Sequence, residues 1–224
     1  MAARILAIGD IHGCTAALEA VVAAADPQAE DTVITLGDYT DRGPDSRGTI
    51  DFLIELGRRC TLVPLLGNHD WVVLELAAGH MDTFGNWLTY GGDTTLASYD
   101  CSSPAEFPSD HLDFLRSCRL TFETDHHFFL HGNYIKELPL ADQPQEVVLW
   151  DSLRYRHPGP HCSGKTAILG HTAQKTGDML DLGYAKCIDT WIYGNGWLTM
   201  LDVLGGQMWQ AGKQGNLRDL SSAL

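Results

Sequence analysis

The first seventy residues repeat one pattern three times: a short apolar run that closes on glycine, a polar turn, and a stretch of helical periodicity. Residues 5–9, 33–37 and 62–67 are rich in Ile, Leu and Val and too short for helices, which fits strands buried on both faces. Residues 15–25, 45–56 and 71–78 space their apolar positions three and four apart, as helices do. The pattern predicts a βαβαβ unit. Strands in such a unit run parallel, so their carboxyl ends lie side by side. The polar residues that follow them, Asp10, Asp38 and Asn68, are expected to meet at one sheet edge.

The pattern blurs over residues 80–124, where Gly91-Gly92, Pro104 and Pro108 interrupt weakly periodic segments and only 111–118 reads as a helix. We read this stretch as a cap-like insertion over the site. Strand-like runs return at 128–130, 166–169, 186–188, 197–203 and 207–210. Asn195-Gly196 and Gly205-Gly206 are hairpin signals. The polar residues 212–224 are expected to be loosely held.

With 224 residues and 44% hydrophobic content the chain suits one domain spanning residues 1–224. No run reaches the roughly 20 apolar residues of a membrane span, and Gly9-Asp10 breaks the apolar start too early for a signal peptide. Neither membrane nor secretion is indicated. Six cysteines, at 14, 60, 101, 118, 162 and 187, show no CxxC pairing and read as reduced thiols of a cytoplasmic protein. The net charge of −14 excludes a protein built to grip a nucleic-acid duplex, whose affinity comes from Lys and Arg. An anionic substrate remains compatible if carboxylates hold cations, because two divalent ions add about four positive charges locally.

The candidate chemistry lies in the turns after the early strands: Gly9-Asp10-Ile11-His12-Gly13, Gly37-Asp38-Tyr39-Thr40-Asp41-Arg42-Gly43 and Gly67-Asn68-His69-Asp70. A carboxylate two residues before an imidazole can place both on one ion, a role that fits Asp10 and His12. His131 and His171 follow later strand-like runs beside glycine in the same way. Six mixed Asp, Asn and His donors exceed one ion's needs but suit two ions about 3.5 to 4 Å apart that share a carboxylate. Asp38 is the natural bridge. Manganese, iron and zinc all suit this donor set, which leaves the metal's identity open.

The three motifs, in this order, resemble the signature of calcineurin-like metallophosphoesterases, and most nearly the bacterial serine/threonine protein phosphatase and diadenosine tetraphosphatase group. The later histidine segments and the stretch from Ile188-Asp189-Thr190 to Leu201 extend the resemblance over most of the chain. It implies an α/β fold with a central sandwich of two mixed sheets flanked by helices. It also implies Asp10 and His12 on one metal, Asp38 on both, and Asn68, His131 and His171 on the other. His69 becomes the general acid, Asp41 its orienting partner and Arg42 a phosphate clamp, with Asn68 also near the substrate.

The chemistry these roles imply is attack by a metal-bridging hydroxide, proton delivery by His69 and a guanidinium fork from Arg42 on the phosphoryl oxygens. The substrates expected are phosphoserine or phosphothreonine in proteins, or alternatively diadenosine tetraphosphate or another small phosphate ester. A third reading is a phosphate-binding module without turnover. Two features depart from the resemblance. Trp191 stands where glycine is usual and is expected to narrow the pocket, and Arg154 is the candidate where a second phosphate-binding arginine would follow Trp150.

Several residues have plainer readings. Asp70 suits a helix N-terminal carboxylate as well as a catalytic group. His126 and His127 precede a strand-like run, and His80, His111, His157 and His161 sit in loop-like stretches; these six are expected to be solvated. Residues 159–166 match the spacing GxxxxGK[ST], but a P-loop needs a strand before it and a helix after it, and here a strand-like run follows. Lys165 is expected near the site rim, since His171 is six residues on. Trp is mostly core material, yet Trp87 and Trp191 are the two placed where they could touch substrate.

Overall fold

A computed structural model describes residues 3–220. The strands are β1 (Ile5–Ile8), β2 (Thr32–Thr35), β3 (Thr61–Pro64), β4 (Thr121–Glu123), β5 (His127–Leu130), β6 (Thr166–Leu169), β7 (Leu180–Asp181), β8 (Ala185–Cys187), β9 (Leu198–Asp202) and β10 (Met208–Ala211). The helices are α1 (Thr15–Ala25), α2 (Ser46–Leu56), α3 (Asn68–Ala77), α4 (Phe84–Trp87), α5 (Asp93–Tyr99), α6 (Ser109–Ser117) and α7 (Gln145–Trp150).

The strands form two five-stranded sheets, ordered β10-β9-β1-β2-β3 and β4-β5-β6-β8-β7. Three adjacent strands of each run parallel, β1-β2-β3 in one, with β3 at its edge, and β5-β6-β8 in the centre of the other, and the remaining strands pair antiparallel. Both sheets are therefore mixed and flanked by helices, as the resemblance implies.

Strand alternation explains why the apolar runs are continuous. Ala7, Ile34 and Leu36 face between the sheets, where they meet Phe129, Ile168 and Ile188. Leu6, Ile8 and Val33 face outward and lie under α1 and α2. Phe128, Leu130, Ala167 and Leu169 cover the outside of the second sheet with Tyr134 and Val148. With both faces of each sheet covered, the central strands have no solvent side to mark with polar residues.

Several local expectations change. Helix α3 begins at Asn68 rather than residue 71, because the Asp70 side chain accepts from the Gly67 nitrogen at 3.1 Å and fixes the first turn around the motif. Asn195-Gly196 closes a turn in which Trp197 N donates to Thr190 O, and it joins no two strands. Gly205-Gly206 does join β9 to β10. Residues 212–220 are tied down by Gly212 N to Asn216 O and by Arg218, which contacts Gly177, Gln210 and Asp178; the rest of that tail lies outside the described residues. His111 and His161 are buried, His111 between Tyr99 and Asp51 and His161 against Ser163 and the Leu138 carbonyl, so neither is solvated. The P-loop-like run is a loop leading into β6; Lys165 pairs with Glu123 at the end of that strand remote from His171, away from the site rim. No helix among the described residues is long and apolar enough to cross a membrane.

Candidate metal centre

Each of the six parallel strands delivers a polar residue to one shared edge. Asp10 and His12 follow β1, Asp38 follows β2, Asn68 opens α3 after β3, and His131, His171 and Asp189 follow β5, β6 and β8. The turns are bound to one another. Ile11 N and His12 N both donate to the Asp38 carbonyl, at 3.1 and 2.7 Å. The Asp70 carboxylate also accepts from Tyr39 N at 2.9 Å, which joins the second turn to the third. Asp70 thus takes the helix-terminal reading: it is fully buried and lies among backbone donors. Burial, then the nearby Asp38, pushes its pKa up to about 7.

Such close turns demand unusual backbone. His12, Asp38, Asp41, Arg42, His171 and Trp191 all have left-handed φ between 48° and 71°. Left-handed conformations of non-glycine residues are costly and persist only where surrounding bonds over-determine them.

The imidazoles are oriented by carbonyls. His12 Nδ1 lies 2.9 Å from Thr40 O and His131 Nδ1 lies 2.8 Å from Leu36 O, so each Nδ1 carries the proton and each Nε2 turns a lone pair inward. Those lone pairs face other acceptors. His131 Nε2 is 3.0 Å from Asn68 Oδ1 and 3.4 Å from Asp38 Oδ1, and His12 Nε2 is 3.5 Å from Asp38 Oδ2. His171 Nδ1 is 3.0 Å from the same Asn68 oxygen.

Ligand atoms of His12, Asp38 and His69 lie within 4.8 Å of one another, as do those of Asp38, His131 and His171; Asp38 belongs to both groups. Asp10 stands outside these tight groups, with its carboxylate held by His171 N at 2.9 and 3.1 Å and next to Asp38 and Asp189.

This donor set fits cations. The His131 lone pair faces the Asn68 and Asp38 oxygens, and that of His12 lies near Asp38 while accepting from Arg42, so imidazole, amide and carboxylate donors converge on one place as metal ligands do. Burial and the neighbouring carboxylates push Asp10 well above its ordinary pKa, while burial and the Asp38 charge are among the causes that bring Asp189 to about 6. Burial drives His12 and His131 down, favouring the neutral, ligating form. Burial raises Asp38, but His131, His69, His12 and Arg42 outweigh it and hold its carboxyl well below the usual range. The Arg42 guanidinium lies in the cluster, 2.7 Å from His12 Nε2 and 2.8 Å from His69 Nε2, a positive group amid the buried carboxylates of Asp10, Asp38 and Asp189.

His69 differs from the other imidazoles in its partner. Its Nδ1 is 2.6 Å from Asp41 Oδ2, a carboxylate instead of a carbonyl. Burial lowers its pKa, but Asp38 and the bond to Asp41 outweigh burial and raise it.

Beside the cluster opens a pocket of about 490 Å³ whose walls include Arg42, His69, Trp150, Arg154, Tyr155 and Tyr193. Arg154 reaches this pocket as an exposed side chain. Trp191 does not line it: its ring turns aside, over Gly194 and beside Lys175, because the residue sits at φ 68°. The pocket aromatic from that loop is Tyr193, which lies 4.1 Å beneath the Arg42 guanidinium and edge-on to His12 at 4.9 Å. Trp87 is buried, and its indole nitrogen donates to Asp41 at 2.9 Å. Sequence reasoning missed Tyr193 and assigned Asp189 no role. Asp189 carries the same signal as Asp38, a carboxylate directly after a short apolar run; Tyr193 sits in a turn and carries none.

Two facing mixed sheets with a nest of Asp, Asn and His at their common strand ends define a metal-dependent phosphoesterase. The calcineurin-like phosphoesterase family matches residues 3–194, and the chain belongs to it. It is accordingly a metal-dependent phosphoric ester hydrolase. The chain is 29% identical to serine/threonine-protein phosphatase 1 of Salmonella typhimurium over 205 residues, covering 88% of this chain and 90% of that one. It is 31% identical over 138 residues to a symmetrical bis(5'-nucleosyl)-tetraphosphatase of a Janthinobacterium species, covering 60% of this chain but only 45% of that one. The chain thus spans under half the length of that relative. Among solved structures, a cold-active protein-tyrosine phosphatase of a psychrophilic Shewanella superposes with a TM-score of 0.68 at 17% identity, over 96% of this chain and 80% of that one, a likeness of fold.

Proposed function

We propose that the chain removes phosphate from phosphoserine or phosphothreonine in proteins, with two divalent cations, manganese first among them, held by Asp10, His12, Asp38, Asn68, His131 and His171. The observation that carries this reading is the position of Asp38, which faces His12 through Oδ2 and His131 through Oδ1 and belongs to both ligand groups. Near-complete coverage of the Salmonella phosphatase supports the protein substrate.

Cations bound there lower the pKa of water and neutralise phosphoryl oxygens. The side chains do the rest. Arg42 swings its fork from the two imidazoles to the phosphoryl oxygens and stays stacked on Tyr193. His69 Nε2, freed by that movement, takes up a proton, which the neighbouring carboxylates favour, and gives it to the leaving serine or threonine oxygen as the P–O bond breaks and a water oxygen bonds to phosphorus. Asp41 keeps Nδ1–H and with it the ring's orientation. His69 is read as donor and not ligand because its outer partner is a carboxylate, which favours the protonated ring. Arg154 and Asn68 are assigned to the substrate side of the pocket, Arg154 for a second anionic group.

A second reading, cleavage of dinucleoside polyphosphates, is supported by the pocket's mouth. Tyr90, Trp150 and Tyr155 line it while 64%, 44% and 84% exposed, flat surfaces on which a base can stack. Parallel assays with manganese separate the two. On the first reading a phosphoserine peptide releases phosphate at least about tenfold more efficiently than diadenosine tetraphosphate is cleaved, a margin of roughly 1.4 kcal/mol. The opposite ratio moves the assignment to the nucleotide, and turnover of neither leaves a phosphate-binding module.

A further inference from the structure

We infer that Trp87 and Thr95, in the segment between α3 and β4, are positioning residues for the His69 proton donor and act through Asp41. The inference rests on the donor role proposed for His69.

Asp41 has no solvent exposure, and its carboxylate is held by three side chains. Thr95 Oγ1 donates to Oδ1 at 2.7 Å, and the same hydroxyl oxygen accepts from Asp41 N at 2.8 Å. One side chain therefore grips both the carboxylate and the left-handed backbone of Asp41, at φ 71°. Trp87 Nε1 lies across both oxygens, 2.9 Å from Oδ2 and 3.1 Å from Oδ1. His69 takes the remaining bond to Oδ2 at 2.6 Å. Three donors from three elements leave the carboxylate one orientation, which aims His69 Nε2 into the pocket.

The geometry of the segment serves that grip. Trp87 and Thr95 sit on either side of the widened turn Leu88–Gly92, which is broken at Gly91 with φ 108°. There Arg42 N donates to Gly91 O at 3.2 Å, and a Cβ on Gly91 would overlap Arg42 backbone. One short stretch thus holds Asp41 by side chains and Arg42 by main chain. Trp87 is buried at 3% exposure; its indole nitrogen is committed to Asp41 while its ring forms part of the pocket wall.

A misaimed donor harms only reactions that need a proton on the leaving oxygen. Serine phosphate needs one; p-nitrophenyl phosphate, whose leaving group is stable as an anion, does not. We expect Thr95→Val and Trp87→Phe each to lower kcat for a phosphoserine peptide about 10- to 100-fold, with KM unchanged in Thr95→Val, which lies off the pocket wall, and p-nitrophenyl phosphate turnover reduced roughly threefold or less in both. Thr95→Ser, which keeps the hydroxyl, should restore peptide turnover to within about threefold of wild type. Near-UV circular dichroism checks the fold of each; if one variant does not fold, the other carries the test, with Thr95→Ser as its hydroxyl control. Equal losses on both esters, or no loss on either, overturn the inference. His69→Asn separates the layers: selective loss there without selective loss in the Thr95 and Trp87 variants sinks the positioning role alone. No selectivity in His69→Asn removes the donor role itself.

Discussion

Asp38 joins two groups of ligands because its neighbours tolerate a turn that no side chain would choose. Gly37 at φ 99° lies so close to Gly67 that a Cβ would overlap the Gly67 nitrogen, and Gly67 lies equally close to Asp38. Gly37→Ala should therefore cost about 2 kcal/mol or more and push apart the turns after β2 and β3. Urea unfolding measures the loss; an unchanged midpoint would contradict the close approach. At this scale much of the site was legible. Asp10, His12, Asp38, Asn68, His131 and His171 each stand beside glycine after an apolar run, and the structure brings them to one edge. Tyr193, Thr95 and the true place of Trp87 were not legible, because their contacts to Arg42 and Asp41 span 46 residues or more and leave no periodic trace. Trp191, the residue that looked unusual in the string, turns away from the pocket for a backbone reason that sequence does not display.

Among the elements, the parallel strands set the site, and what anchors β1 sets the strands. Arg4, directly before that strand, donates to Asp31 Oδ2 from Nε at 3.0 Å and from Nη2 at 2.6 Å, while Nη1 and Nη2 reach the carbonyls of Ala25 and Asp26. Burial alone would raise Asp31, but Arg4 and the amides of Gln28 and Arg4 bring its pKa from 3.8 down to about 2. A depressed carboxyl pKa adds stability that is complete above the unfolded value and lost as pH falls through the folded one. Asp31→Asn should thus lower stability by about 2 kcal/mol at pH 7, with the gap to wild type closing between pH 4 and pH 2. Denaturant titrations at both ends check this; a gap constant with pH would assign the effect to packing. The βαβαβ unit was legible because covered strands read as apolar runs. The short edge strands β4 and β7 were not, with only three and two residues each. Helices α4 and α5 were hidden by Gly91-Gly92, which sequence rules treat as a break but which here shapes a turn inside a helical segment.

For the whole molecule, a net charge of −14 and an anionic substrate are reconciled only if positive charge gathers at one place. Among the described residues Arg42 is the one permanent cation inside the cluster, facing Asp10, Asp38 and Asp189, and divalent ions would supply the balance there. The two-sheet architecture makes this concentration possible by ending six parallel strands at one edge. Equilibrium binding of manganese to the wild type and to Asp38→Asn, with phosphoserine-peptide turnover followed in the same samples, tests this account most directly. Two ions per wild-type chain, loss of at least one in the variant and a fall in turnover of about a thousandfold or more are the predicted results. A variant that binds both ions, or that still hydrolyses the peptide at a comparable rate, would contradict the central place given to Asp38.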